Sequence, residues 1–411
     1  GMGIQAGDHV GLCAPNSAEW LAFYFGVLKA GAVAVTLSSQ LQKDELALLI
    51  NHSRPKMLLA FDENLEELNA LKDGDCLQKI ISPQGDLTFS DLMDKGSGNF
   101  KAVDADRSDT AAILYTGGTT GVSKGVMLTH ANLSRQVQHI RAWFPKFKRG
   151  EEIMLGALPF FHVFGLSVAM NFAIYMGWGD ILVPKPQPEP LLEAIGKFRP
   201  TFAPLVPTMY IGMLSLPQIN QTDLTSIAGC FSGSAPLPVE IIRDFEKKTG
   251  AVIVEGFGMT ESSPVTHINP FGGQRKVGSI GIPIPDTAAR IVDLGDPSRE
   301  MPVGETGELM VRGPQVMKGY WQREDATAET LVDGWLHTGD IAMMDEEGYF
   351  YIVDRKKDMI ISGGQNIYPA DIETIMLAND AVSEVAVIGV PHAKWGETPL
   401  AIVVPAADMD A

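Results

Sequence analysis

The sequence predicts an α/β fold with a large N-terminal domain of parallel sheets covered by helices, a small β-barrel subdomain and a small α+β C-terminal domain. Over about the first 265 residues, continuous apolar segments alternate with amphipathic segments, as in parallel strands connected by helices. From residue 266 to 353, glycine, proline and short alternating segments predominate, which indicates antiparallel strands. A further helix and strand pattern follows residue 358.

The elements of the α/β region follow from apolar segments and their boundaries. The strand HVGLCA precedes a helix from Ser17 to Lys29, for which Asn16 or Ser17 supplies the N-cap and Gly31 ends the helix. An amphipathic helix is predicted at residues 238–249. Further apolar strands are predicted at AVAVTL, PKMLLA, residues 111–115, DILVP, residues 227–231 and AVIVEGF.

Residues 153–179 contain no charged side chain and are long enough to span a bilayer. Pro159 divides this segment, and Gly156, His162, Gly165 and Asn171 interrupt it. We therefore predict a strand at residues 153–157, a turn at Pro159 and a buried helix that ends at Met176.

The second half of the chain shows shorter elements. GELMVRG and GYFYIVD alternate like strands of a small β-barrel or meander. The charged segment DRKKD, residues 354–358, is the predicted hinge, followed by a helix at Pro369–Leu377 and the strand SEVAVIGV. The predicted domains are therefore an N-terminal domain at residues 1–353 and a partial C-terminal domain at residues 359–411.

The acidic composition argues against a nucleic-acid partner. The 411 residues contain 32 Lys and Arg against 50 Asp and Glu, a formal net charge of −18, and no basic block offsets it. Cys13, Cys76 and Cys230 are isolated and flanked by apolar residues, so we interpret them as buried thiols in a reducing compartment, not a disulfide framework or zinc site. We expect small-molecule substrates and a cytoplasmic location, with peripheral membrane contact and a dimeric state as open alternatives.

The loop YTGGTTGVSKG, which begins at Tyr115, separates two apolar segments. Its glycines let backbone N–H groups approach an anion, its threonines add hydroxyl donors and its lysine adds a positive charge. The groups of this phosphate cradle are Thr116, Gly117, Gly118, Thr119, Thr120, Gly121 and Lys124. The alternative is a glycine-rich hairpin with a solvated lysine. The order Ser-Lys-Gly opposes a P-loop, in which lysine follows glycine and precedes Ser or Thr.

The loop resembles the phosphate-binding signature of the AMP-forming acyl-CoA synthetase family, and is most like that of bacterial long-chain fatty acyl-CoA ligases. Further motifs that resemble those of the family follow in the family's order, so the resemblance covers nearly the whole chain. They are LPFFHVFG at residues 158–165, FSGSAPL at 231–237, GFGMTES at 256–262, GWLHTGD at 334–340, YIVDRKKDMIISGGQNIYP at 351–369 and GVPHAKWGE at 389–397.

The resemblance implies roles for individual residues. Lys124, His162, Thr260 and Glu261 would be catalytic, and Thr116 and Glu261 would hold Mg²⁺. The ATP and AMP site would comprise Thr116, Gly117, Gly118, Thr119, Thr120, Gly121, Lys124, Ser234, Ala235, Pro236, Gly256, Phe257, Gly258, Met259, Thr260, Asp340 and Arg355. The acyl pocket would comprise Phe160, His162 and Val163, the hinge Lys357, and the coenzyme A tunnel Gly363 and Gly364.

Each side chain also has a simpler interpretation. Phe257 offers a flat face for adenine, or is a core aromatic. Glu261 offers the carboxylate oxygen that Mg²⁺ prefers, or is a charge at a helix N-terminus. Asp340 could accept hydrogen bonds from both ribose hydroxyls, or form a turn. Arg355 is a ribose contact or a solvated linker charge, and His162 gates the carboxylate site or belongs to the core.

The implied reaction has two steps: a carboxylate and Mg·ATP give acyl-AMP and pyrophosphate, and coenzyme A then displaces AMP. The uncharged segment after His162 favours a medium- or long-chain fatty acid. An aryl acid, a carrier-protein acceptor and a non-enzymatic nucleotide-binding remnant stay open. The lysine that the family carries near its C-terminus has no counterpart in this sequence, so we expect either a fragment of a longer protein or a natural truncation.

Overall fold

The structure is a computed structural model that describes residues 2–61, 65–72, 76–116, 123–363, 365–379, 381–392 and 394–406. Its strands are β1 (His9–Cys13), β2 (Val33–Thr36), β3 (Met57–Ala60), β4 (Lys79–Ile81), β5 (Thr110–Thr116), β6 (Lys124–Thr129), β7 (Ile153–Gly156), β8 (Gly179–Leu182), β9 (Phe202–Leu205), β10 (Gly229–Ser232), β11 (Val252–Gly258), β12 (Val265–Ile268), β13 (Ile282–Pro283), β14 (Ala288–Val292), β15 (Gly307–Arg312), β16 (Gly319–Tyr320), β17 (Leu331–Val332), β18 (Trp335–Met344), β19 (Phe350–Arg355), β20 (Ile360–Ser362), β21 (Gln365–Ile367), β22 (Val382–His392) and β23 (Gly396–Pro405).

The α-helices of the described residues lie mainly in the first two thirds of the chain. They are α1 (Ala18–Lys29), α2 (Lys43–Ser53), α3 (Leu65–Ala70), α4 (Phe89–Lys95), α5 (His130–Trp143), α6 (Phe172–Met176), α7 (Pro188–Phe198), α8 (Pro207–Ser215), α9 (Val239–Thr249), α10 (Glu324–Thr330) and α11 (Pro369–Leu377). A π-helix at Gly165–Asn171 and short 3₁₀-helices at Pro217–Asn220 and Thr260–Ser262 complete the set.

Local sequence signals explain where several helices begin. The Ser17 hydroxyl accepts a hydrogen bond from the Trp20 backbone N–H at 3.1 Å, which confirms the predicted cap of α1. Proline occupies the first turn of α7, α8 and α11, where its missing N–H costs nothing. α11 has the predicted bounds, and α9 begins one residue after its predicted start.

The first large sheet has seven strands in the order β16-β6-β5-β2-β1-β3-β4 within the described residues. Strands β1 to β5 pair in parallel, as predicted. Val33 and Val35 pack on one face and Ala34 on the other, so both faces are covered. β6 pairs antiparallel with β5, because the residues between Thr116 and Lys124 are too few for a parallel crossover. β16 adds to the other side of β6, also antiparallel.

The second large sheet also has seven described strands, in the order β13-β12-β11-β10-β9-β7-β8. β7 to β11 pair in parallel, whereas β12 and β13 add to one edge antiparallel. The sequence placed the β-rich part from residue 266, but residues 265–268 and 282–283 belong to this mixed sheet. Short antiparallel edge strands show the same alternation as a meander, which explains the difference.

Two smaller antiparallel sheets follow. β14, β15, β18 and β17 form one open sheet with β19 paired to β18, so the described strands form a meander and not a closed barrel. The second has the order β21-β20-β23-β22, and α11 packs on β22. The predicted strand SEVAVIGV lies within β22, and the α/β fold class predicted from the sequence is confirmed.

The uncharged segment at residues 153–179 forms β7, a turn at Pro159, the π-helix and α6, which confirms the predicted strand, turn and buried helix. Phe172 is fully buried, and its ring centroid lies 5.0 Å from that of Trp178. No helix in the described ranges combines the length and apolar character needed to cross a membrane. The three cysteines are buried, as predicted.

His267 on β12 is a buried titratable group between the second sheet and the meander. Its side chain is fully buried, with Nδ1 2.9 Å from the Thr266 hydroxyl and its ring centroid 4.7 Å from that of Phe350. Nε2 has no hydrogen-bond partner within the described part of the chain. Burial lowers the pKa of His267 to about 3, so its ring is neutral at physiological pH.

We expect wild-type protein to lose about 2 kcal/mol more stability than His267→Gln between pH 7 and pH 5. The unfolded chain takes up a proton near pH 6.5, but the buried ring does so only near pH 3, so stability present above pH 6.5 is lost on acidification. Urea unfolding at both pH values measures the difference. The exposed His392→Gln is the control, and identical pH slopes for wild type and His267→Gln would contradict the expectation.

Candidate active site

A cavity of about 680 Å³ lies where three parts of the chain meet: the end of β5 with the start of β6, the end of β11, and the β18–β19 pair. Most described residues predicted for the site line this cavity. They are Thr116, Lys124, His162, Val163, Ser234, Gly256, Phe257, Gly258, Met259, Thr260, Glu261, Asp340, Arg355 and Lys357. Predicted residues that lie outside the described ranges are Gly117, Gly118, Thr119, Thr120, Gly121 and Gly364.

Among the described residues, four that were predicted for the site do not line the cavity. Phe160 is fully buried because its ring packs into the core at 5.5 Å from the Trp20 ring, and its backbone N–H donates to Asn16 Oδ1. Ala235 and Pro236 directly follow Ser234, and both are exposed to solvent. Gly363 has a φ of +60° in a turn beside Trp395, whose ring leaves no room for a Cβ atom.

Lys124, the first residue of β6, is the first charged side chain of the cavity wall. Thr116 on β5 is its partner across the hairpin. The Lys124 ammonium group lies 4.9 Å from the centroid of the Tyr320 ring, within the range of a cation–π contact. Lys124 is half-buried and faces the cavity, so it is not simply a solvated hairpin lysine.

Glu261 is a buried carboxylate that lines the cavity near Lys124. It lies in the 3₁₀-helix after β11 and is 7% exposed, which does not fit a surface charge at a helix end. Tyr320 Oη donates a hydrogen bond to Glu261 Oε1 at 2.8 Å. Burial raises the pKa of Glu261, while the Tyr320 hydrogen bond and the charges of Lys124 and Arg355 act in the opposite direction.

Two glycines let the backbone pass close to neighbouring groups at this edge. A Cβ atom on Gly256 would lie 2.4 Å from the Phe231 ring, and one on Gly258 would lie 2.2 Å from the Pro264 carbonyl oxygen. Phe257 lies between them, half-buried, with its ring centroid 6.3 Å from that of His267. Part of the Phe257 ring therefore remains available to the cavity.

Asp340 and Arg355 are direct neighbours across the β18–β19 pair. Arg355 Nε lies 3.4 Å from Asp340 Oδ1, and Asp340 is 6% exposed. Burial raises the pKa of Asp340 to about 6, and the Arg355 charge opposes this rise. A carboxylate held at a cavity wall in this way can accept hydrogen bonds from a diol.

The opposite end of the cavity is apolar. Val163, Phe164 and Phe231 line it, and the rings of Phe164 and Phe231 are 5.3 Å apart in a T-shaped contact. His162 is accessible from the cavity and its Nδ1 accepts the Phe164 backbone N–H at 3.3 Å. Desolvation by the surrounding protein lowers the pKa of His162, which favours the neutral ring.

Sequence reasoning missed a second buried carboxylate, Glu308 on β15. Its Oε2 lies 2.9 Å from Lys356 Nζ and 3.3 Å from His337 Nδ1, and all three residues line the cavity. The available signal was a charged residue within the apolar strand GELMVRG. Tyr320 was also missed, although GYW interrupts a polar segment with aromatic residues.

Within the described ranges, no group of three or more His, Cys, Asp and Glu side chains could hold a metal ion. A cation at this site would therefore need oxygen ligands from a bound molecule in addition to Glu261. Mg²⁺ commonly binds in that way, through one or two carboxylates, water and substrate phosphates.

Comparison with known proteins identifies the family. Residues 1–321 match the family model described as AMP-binding enzyme, and residues 371–411 match that of its C-terminal domain. The long-chain-fatty-acid–CoA ligase of Bacillus subtilis is 40% identical, over 98% of this chain and 77% of the relative. The feruloyl-CoA synthase of an Amycolatopsis species is 38% identical, over 98% and 80%.

Solved structures agree with these matches. ATP-bound MatB from Rhodopseudomonas palustris superposes with a TM-score of 0.91 at 34% identity, covering 100% of this chain and 81% of MatB. The family resemblance predicted from the ordered motifs is thereby confirmed, since the match includes both sequence and fold. The chain belongs to the AMP-binding enzyme family.

Proposed function

We propose that this chain activates a fatty acid with ATP to give acyl-AMP and pyrophosphate, and then transfers the acyl group to coenzyme A. The observation that carries the proposal is one cavity lined by cationic and carboxylate side chains together with aromatic and aliphatic side chains. The similarity to long-chain-fatty-acid–CoA ligases supports the acid and the acceptor.

The chemistry needs no enzyme nucleophile. A carboxylate oxygen of the acid attacks the α-phosphorus of ATP while the bond to pyrophosphate breaks, and the coenzyme A thiolate then attacks the acyl carbon and releases AMP. Catalysis therefore depends on orienting the two reactants and on neutralising phosphate charge. Lys124 supplies positive charge and Thr260 a hydroxyl donor at the phosphate end.

The phosphate end also suits a magnesium ion. The fit rests on Glu261, whose buried carboxylate faces the cavity that Thr116 also lines. Thr116 and Glu261 would hold Mg²⁺ together with phosphate oxygens of ATP. Bound magnesium would neutralise charge on those phosphates.

The nucleoside would occupy the other side of the phosphates. Phe257 would stack on adenine, and Asp340 with Arg355 would bind the ribose hydroxyls. His162, which lines the same cavity, would lie between the phosphates and the acyl chain. A pivot at Lys357 and a coenzyme A route past Gly363 and Gly364 are also proposed, on the family resemblance alone.

The direct test is acid-dependent pyrophosphate release, followed with and without coenzyme A. Palmitate should stimulate release, and acyl-CoA and AMP should accumulate only when coenzyme A is present. Acyl-AMP without acyl-CoA would point to another acceptor. No acid-dependent release, together with intact ATP binding, would reject the enzyme assignment.

Chain length tests the acyl end. We expect kcat/KM for saturated fatty acids to rise about fourfold per added methylene until the apolar site is full, from about 0.8 kcal/mol per buried CH₂. Val163, Phe164 and Phe231 are apolar lining residues against which the first of those methylenes would pack. Pyrophosphate release with acids from acetate to palmitate gives the series. A flat series, or acetate as the best substrate, would contradict the prediction.

An aryl acid is the second candidate, favoured by the similarity to feruloyl-CoA synthase. Ferulate and benzoate therefore belong in the same panel. An aryl acid preferred to both octanoate and palmitate would replace the fatty acid in the proposal, because a long flexible chain and a planar ring need differently shaped sites.

A further inference from the structure

We propose that Tyr320 is a positioning residue that orients both Glu261 and Lys124 at the phosphate end of the cavity. The inference rests on the proposed function, in which these two side chains serve Mg·ATP. It adds a residue from β16 that contacts both side chains but for which no role follows from the sequence motifs.

The topology places Tyr320 between two sheets. Tyr320 pairs with Val126 on β6, the strand that Lys124 begins, so Tyr320 and Lys124 belong to the edge of the first sheet. Glu261 follows β11 of the second sheet. Tyr320 therefore joins groups whose positions are set by separate sheets.

Two different parts of the tyrosine make the two contacts. The hydroxyl donates to Glu261 Oε1 at 2.8 Å, and the ring lies 4.9 Å from the Lys124 ammonium group. The hydrogen bond engages Oε1 and restricts rotation of the carboxylate, so we expect Oε2 to be the oxygen that faces a cation. The ring holds the ammonium group by cation–π attraction without neutralising its charge.

Backbone hydrogen bonds hold the chain in place both before and after Tyr320. Met317 N–H donates to the Glu261 carbonyl at 2.8 Å, and Trp321 N–H donates to the Gly125 carbonyl at 2.7 Å. The Tyr320 N–H donates to Thr327 Oγ1 at 2.9 Å. Tyr320 itself is 5% exposed. Because these hydrogen bonds and its burial restrict the movement of Tyr320, its side chain can fix the orientation of Glu261 and Lys124.

The test separates the hydroxyl from the ring. Calorimetry measures ATP affinity with Mg²⁺ and with EDTA for wild type, Tyr320→Phe and Tyr320→Leu. We expect Tyr320→Phe to raise the Mg²⁺ concentration for half-maximal enhancement of ATP binding about tenfold, the usual scale for losing an outer partner of a metal ligand. Its ATP affinity in EDTA should stay unchanged. Tyr320→Leu should also weaken ATP in EDTA a few-fold, because Lys124 loses the ring.

Controls distinguish this inference from the proposed function. Tyr351→Phe removes a tyrosine hydroxyl that donates to Asp345 outside the cavity, and should match wild type in both titrations. Glu261→Gln should remove the Mg²⁺ enhancement, and Tyr320→Phe should add nothing in that background. If Glu261→Gln removes it but Tyr320→Phe behaves like wild type, the inference is overturned and the proposed function stands.

Two other results are also decisive. If Glu261→Gln has no effect on the Mg²⁺ dependence, the metal role of Glu261 fails and the inference fails with it. If Tyr320→Phe weakens ATP equally with Mg²⁺ and with EDTA, its role is general packing, and positioning is rejected. Thermal unfolding of each variant confirms that the comparison is made on folded protein.

Discussion

Replacing Lys124 with alanine is expected to slow acyl-AMP formation by about a hundredfold, which corresponds to about 3 kcal/mol of lost transition-state stabilisation. Lys124 faces the cavity, and Tyr320 holds its ammonium group near Glu261. Loss of a preorganised cation leaves the charge that develops on the phosphates without its partner. Single-turnover formation of acyl-AMP from saturating ATP and palmitate measures this step.

Two matched variants complete the Lys124 experiment. Lys318→Ala removes an exposed lysine on the segment before β16, outside the cavity, and should leave the rate unchanged. Lys124→Arg keeps the charge and the contact with an aromatic ring, so it should recover part of the rate. A normal single-turnover rate in Lys124→Ala would remove Lys124 from the proposed mechanism.

The parts of the fold that could be predicted depend on local signals. Ser17, Pro369 and the apolar segments around β1 and β2 act within a few residues of themselves, so the sequence locates those elements closely. The order of strands in a sheet is not local. The antiparallel edges formed by β12, β13 and β16 depend on pairing between distant segments, and the alternation of each strand alone does not specify its partner.

The site shows the same division. Asp340 and Arg355 are only 15 residues apart in sequence and are neighbours across the β18–β19 pair. Each lies in a sequence motif that predicted a role in nucleotide binding. Tyr320 and Glu308 carry no comparable signal, because their contacts with Glu261 and Lys356 join segments that are 48 or more residues apart in sequence. Phe160 was expected in the acyl pocket, but its ring packs against Trp20 in the core, a contact between segments far apart in sequence.

The location of the cavity follows from the mixed sheets. The β5–β6 hairpin places Lys124 at the edge of the first sheet, and β11 ends at Gly258 on the second. β18 and β19 of the meander bring Asp340 and Arg355 to the same opening. Side chains from three sheets thus meet at one site, as is typical for loops and strand ends on a rigid scaffold.

Asp340→Ala is expected to raise the dissociation constant for ATP about a hundredfold or more, since a hydrogen bond to a charged group contributes about 1.5–3 kcal/mol and two ribose hydroxyls would lose one each. Asp340 is 6% exposed at the cavity wall and lies beside Arg355, so its carboxylate has a defined position from which to accept both hydroxyls. Pyrophosphate has no ribose, and its affinity should change little. Calorimetry with both ligands compares the two effects.

Acidification should reproduce part of the Asp340 effect in wild-type protein. Burial raises the pKa of Asp340 to about 6, so its carboxylate form is present above that pH and is lost as the pH falls through it. ATP affinity should therefore decline below about pH 6 in wild type, and Asp340→Asn should lack this component of the pH profile. Asp333→Asn, in an exposed turn of the same sheet, is the matched control.

A ligand variant identifies the hydroxyls themselves. Wild type should bind ATP more tightly than 2′-deoxy-ATP by about tenfold, the lower range for one hydrogen bond to a charged group. Asp340→Ala should bind both nucleotides equally, because the partner of the 2′-hydroxyl is gone. If the variant keeps the wild-type preference for ATP, or binds ATP with wild-type affinity, then Asp340 does not contact the ribose. Its carboxylate would then serve only the Arg355 pair that holds β18 against β19.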